Sequence, residues 1–173
     1  MYLVIGPDTG RENQWGDAAG NQAHHVADSR KSCLGILGLG KGGAAFYSQL
    51  GVKIGWANGI RGSSDSVYAV SKDLPFWSFP YRISISEDLF LKLYTKESSY
   101  IAIHQPIVVP DSPQLIPILK RLETQPDYPV IIETNSAFFY VLWGFDDGPS
   151  AMSLLGQRVF INVLDSLPCA WPA

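Results

Sequence analysis

Two cysteines stand in 173 residues, Cys33 and Cys169, and they form no Cys-x-x-Cys pair. A disulfide framework is not implied, and a reducing compartment fits best. Histidine is as scarce, with His24, His25 and His104 only. Adjacent histidines on a strand point to opposite faces, and no third ligand stands at useful spacing, so no metal site is expected. Charged residues make up 17% and the net charge is −3, which argues against a long nucleic-acid duplex as partner. No apolar run reaches the roughly 18 residues that a membrane-spanning helix needs. The start of the chain lacks a basic region followed by a long apolar one, so no signal peptide is read, and a cytoplasmic protein is expected.

Glycine, by contrast, is abundant and unevenly placed. Thirteen of the 16 glycines fall in residues 1–62, most densely in Gly35-Ile-Leu-Gly-Leu-Gly-Lys-Gly-Gly-Ala-Ala45. Residues 1–62 also carry six Lys/Arg against four Asp/Glu, a balance of +2, while the remainder carries −5. Glycine lets the backbone take positive φ and approach a ligand closely. A glycine run opening onto a helix aims bare N–H groups at whatever sits above it, which suits a small anion.

The chain is the length of one domain. Tyr2–Ile5 is an apolar run closed by Gly6-Pro7-Asp8, a buried strand and a turn. Residues 9–31 are polar and aperiodic, hence loop. Gly43–Leu50 reads as a helix ended by Gly51. Val52–Trp56 alternates like a strand, Gly59–Ser64 reads as a turn or loop, and Val67–Val70 as a buried strand. Ser84-Ile-Ser-Glu87 has capping-box spacing, and Leu89, Phe90, Leu93 and Tyr94 then mark a helix face. Tyr100–Val109 is rich in strand formers, with Pro106 suiting an edge or a strand end. Asp111-Ser-Pro113 can start a second helix with Leu115, Ile118, Leu119 and Leu122 as its buried face. Val130–Thr134 is a strand, and Phe138–Trp143 and Arg158–Val163 complete the set. Leu164–Ala173, with two prolines, is expected on the surface. The expected fold class is α/β: a single domain built on a mixed sheet with flanking helices.

Two nucleotide motifs are half present. Gly35-x4-Gly40-Lys41 has the spacing of a triphosphate-binding loop, but Gly42 stands where Ser or Thr would hold magnesium, and Arg30-Lys-Ser-Cys33 is a poor preceding strand. Gly38-x-Gly40-x-x-Gly43 matches the dinucleotide fingerprint, but the first acid after it, Asp65, lies too far along to meet a ribose. What remains is a glycine loop feeding a helix N-terminus, able either to hold a diphosphate by main-chain amides or to serve only a tight turn and close helix packing. No nucleophile-elbow pattern is present. Asp146-Asp147-Gly148 reads as a surface turn or a small cation loop.

Gly40-Lys-Gly-Gly-Ala-Ala45, Leu50-Gly51, Gly59-Ile-Arg-Gly62 and Ser66-Val-Tyr-Ala-Val-Ser-Lys-Asp73 together resemble a group of short phage and bacterial proteins related to macro domains. The resemblance covers about residues 36–75, with an echo at Val4-Ile-Gly-Pro-Asp8. It implies one macro-like domain over residues 1–173, with a loop insertion at about 9–34, and it implies binding of ADP-ribose or a related nucleotide. In that frame the amides of Gly40, Gly42, Gly43 and Ala44 face the phosphates, and Gly59, Gly62 and Ser63 form the opposing loop. Lys41 or Arg61 adds a charged contact, and Asp8 meets an adenine amino group. Trp56 or an aromatic near Phe76 would stack the base. The Asn-Ala-Ala-Asn segment of hydrolytic macro domains is absent, which leaves binding the safer inference and turnover open. No separate cofactor is implied. The alternative is a non-enzymatic virion or assembly protein whose partner is a homo-oligomer or particle lattice, suggested by many aromatics, little charge and no clear acid–base pair.

Overall fold

A computed structural model describes residues 2–5, 34–37, 59–104, 114–124, 127–134 and 139–166. The expected loop at 9–31, the helix at Gly43–Leu50 and the strand at Val52–Trp56 lie outside the described residues. Ten strands and one α-helix are described, with sheets of mixed direction, in keeping with a small α/β domain.

The strands are β1 (Tyr2–Ile5), β2 (Leu34–Leu37), β3 (Gly59–Ser64), β4 (Ser66–Ala69), β5 (Phe90–Lys92), β6 (Ser98–His104), β7 (Gln114–Lys120), β8 (Asp127–Tyr128), β9 (Val130–Thr134) and β10 (Phe139–Trp143). Seven of them form one sheet in the order β1-β2-β10-β9-β7-β4-β5, and β3-β6-β8 form a second. In the large sheet β1, β2 and β10 are parallel, and every other pairing is antiparallel. The sheets are joined by continuous chain. β3 bends into β4 at Asp65, and β8 passes into β9 through Pro129. The Asp65 carbonyl, at the first bend, accepts from the N–H groups of Leu93 and Tyr94 at 2.9 and 3.0 Å. At such corners the chain passes from one sheet to the other without a loop.

Helix α1 spans Leu154–Asp165. Ser153 caps it, its hydroxyl oxygen accepting from the Gly156 N–H at 3.0 Å while its own proton goes to the Lys92 carbonyl at 2.7 Å. One hydroxyl therefore satisfies a helix-end donor and ties the helix to β5. Val159, Phe160 and Val163 are buried, and the Phe160 ring stands edge-on to Trp143 at 4.9 Å. The core is otherwise aromatic and aliphatic, with Trp143, Tyr94, Phe76, Phe145, Leu91 and Ile118 as its largest fully buried side chains.

Four expectations are corrected. Gly59–Ser64 is a strand, not a turn. The helix expected after Ser84 is absent: Leu89 adopts φ 60°, outside helical space, and the chain enters β5. Leu91 and Leu93 then point inward, while Phe90 stays 43% exposed on the opposite face, against the Tyr68 ring at 5.7 Å. The helix expected from Asp111 is β7, whose register shifts between Pro117 and Leu119. That irregularity accommodates a proline in a strand, and β4 pairs only beyond it, at Leu119 and Lys120. Finally, Arg158–Val163 belongs to α1. The strands expected at Tyr2–Ile5, Val67–Val70, Val130–Thr134 and Phe138–Trp143 are found within a residue, and that expected at Tyr100–Val109 is found as far as His104, with 105–109 outside the described residues.

Candidate functional site

The three parallel strands end level with one another. Ile5 pairs with Leu37, and Leu37 with Trp143. In open α/β sheets, ligands sit outside the carboxyl ends of parallel strands, because there the loops converge on one edge. In the chain, β1 is followed by Gly6-Pro7-Asp8, β2 by Gly38-x-Gly40-Lys41-Gly42-Gly43, and β10 by Gly144–Gly148. β2 also settles the context of the glycine run. Gly35 lies inside the strand, so the triphosphate-loop spacing fails at its first residue. The Gly38-x-Gly40-x-x-Gly43 pattern, however, follows a parallel strand directly, as a diphosphate-binding turn requires.

Only the segment after β10 is described in full. Gly144 N–H donates to the Pro129 carbonyl at 2.7 Å, and Asp146 N–H to the Ser99 carbonyl at 2.9 Å. Asp147 N–H reaches the Ser98 hydroxyl at 3.3 Å. The Asp147 carbonyl accepts from the Tyr94 hydroxyl at 3.1 Å, and that hydroxyl accepts in turn from Trp143 Nε1–H at 3.1 Å. Burial pushes the Tyr94 hydroxyl far above its ordinary pKa, so it stays a neutral donor across the physiological range. Phe145 is buried between the rings of Tyr94 and Tyr100, at 4.9 and 5.7 Å. The turn is thereby pinned along its main chain, while Asp146, Asp147 and Gly148 face solvent. This agrees with a surface turn.

The second sheet hangs from this same edge. Phe145 bridges Tyr100 of β6, and Tyr100 pairs with Gly62 of β3. Gly59, Arg61, Gly62 and Ser63 thus lie in a strand one neighbour removed from the turn after β10. Two of them already have local partners. The Tyr100 phenol lies against Gly62, with a Cβ placed there only 2.6 Å from its Cζ. The Ser63 hydroxyl donates to Glu97 Oε2 at 3.1 Å. Behind Tyr100, Arg121 meets Asp127 Oδ2 at 3.2 Å. Burial works to lower the Arg121 pKa, and its contacts with Tyr100 and Asp127 more than offset this, holding it raised.

Gly62→Ala is therefore expected to lower stability by about 1–3 kcal/mol, the usual cost of overpacking. A fall in the urea midpoint at unchanged slope checks this, and an unchanged midpoint would show that the Tyr100 ring gives way freely.

Comparison with known proteins finds nothing: no family model, curated protein or solved structure matches this chain.

Asp8, Gly40, Lys41, Gly42, Gly43, Ala44 and Trp56 lie outside the described residues, as do His24 and His25. Of the aromatics around Phe76, Phe76 and Trp77 are buried in the core. Trp77 Nε1–H is committed to the Ser71 carbonyl at 2.7 Å. Phe79 and Tyr81 are exposed, and the Arg158 guanidinium lies 5.7 Å from the centre of the Tyr81 ring. Among the described residues no three His, Cys, Asp or Glu side chains form a metal-binding group, and no helix is long and apolar enough to cross a membrane. Sequence alone does not show that β10, which leads into the Gly144–Gly148 turn, pairs with β2. A pairing between strands a hundred residues apart leaves no local trace.

Proposed function

We propose that the chain is a macro-like domain that binds ADP-ribose or a related diphosphate nucleotide at the carboxyl edge of β1, β2 and β10. One observation carries this reading: the glycine run leaves the middle strand of a parallel trio whose ends are level. Main-chain donors of Gly40, Gly42, Gly43 and Ala44 would then hold the diphosphate, as side-chain-free turns at strand ends do. Lys41 or Arg61 would add a charge-assisted contact. Asp8 follows β1, the neighbouring strand, by three residues in the chain and would accept from an adenine amino group. Gly59 and Gly62 contribute main chain from the second sheet. Ser63 would have to release Glu97 before its hydroxyl could reach a phosphate. The likeness to phage and bacterial proteins in residues 36–75 supports the same ligand class.

Thermal unfolding of the wild-type protein with ADP-ribose, NAD, ATP and a cyclic dinucleotide tests the reading. A ligand at 100 times its Kd adds about 2.7 kcal/mol of stability. For a chain of this size that raises Tm by roughly 5–10 °C. Gly42→Asp should abolish the shift, since it brings a side chain and a like charge against the phosphates. No shift with any of the four, together with sedimentation as a large oligomer, would replace this reading with that of a non-enzymatic assembly protein. A full shift retained by folded Gly42→Asp would remove the glycine run from the site.

A further inference from the structure

We draw no further inference here: the strongest candidate, the exposed apolar side chains Leu154 and Ile161 on the outer side of α1 together with Tyr81 against Arg158, carries nothing because nothing in the structure shows what covers them.

Discussion

Gly156→Ala is expected to destabilise the protein by about 3 kcal/mol or more, the upper range for overpacking a filled interior. In an exposed helix the same exchange stabilises by about 1 kcal/mol. The sign reverses because α1 lies directly on the main chain of Leu93. A Cβ at position 156 would stand 2.8 Å from the Leu93 carbonyl carbon and 3.0 Å from its Cα. That main chain has no room to retreat, since Leu93 N–H donates to Asp65 at 2.9 Å and its carbonyl accepts from Ser153 at 2.8 Å. The helix must therefore lift, and Val159, Phe160 and Val163 lose their packing with it. A melting temperature lower by roughly 6–12 °C is the expected readout. Gly148→Ala is the control: nothing lies within 4 Å of its added carbon, so it should stay within about 0.5 kcal/mol of wild type. Equal melting temperatures for the two variants would mean that α1 does not dock as described.

Asn162→Leu should cost about 3 kcal/mol, for a different reason. Asn162 is fully buried on α1 and serves three main-chain groups of one segment. Its Nδ2 donates to the carbonyls of Phe76 and Tyr81 at 2.7 and 2.6 Å, and its Oδ1 accepts from Tyr81 N–H at 2.9 Å. Leucine fills similar space but leaves all three unpaired, at about 1–3 kcal/mol for each group that water cannot reach. Tyr81 is 42% exposed, so part of the loss is recovered by solvent. The segment should also come loose, and faster tryptic cleavage after Arg82 would report it. Unchanged cleavage with an unchanged urea midpoint would show that the amide is dispensable.

Local sequence revealed the strands that are short, apolar and closed by turn residues: β1, β4, β9 and β10. It misled where two periods overlap. Leu89, Leu91 and Leu93 alternate as a strand should, but an apolar Phe90 on the outer face and the Ser84–Glu87 spacing imitate a helix start. In β7 the run Leu115, Ile118, Leu119 has helical spacing by sequence. Ile118 and Leu119 are both buried, as are the consecutive Val130, Ile131 and Ile132 of neighbouring β9, because the sheet is covered on both faces there and no polar alternation marks the strand. β3 was missed because glycine is a poor strand former, yet Tyr100 occupies the space that a side chain at Gly62 would need. The candidate site was legible only as a glycine run. Its neighbours come from strands far away in the chain, and register between distant strands is a tertiary property.

The continuous passages at Asp65 and Pro129 tie the two sheets into one mechanical unit. Neither sheet can peel away while the other persists, since β3 runs directly into β4 and β8 into β9. Slow amide exchange should therefore reach Ala102 and Ile132 at a common rate set by global unfolding. A nucleotide held at the edge where the layers meet would slow both together.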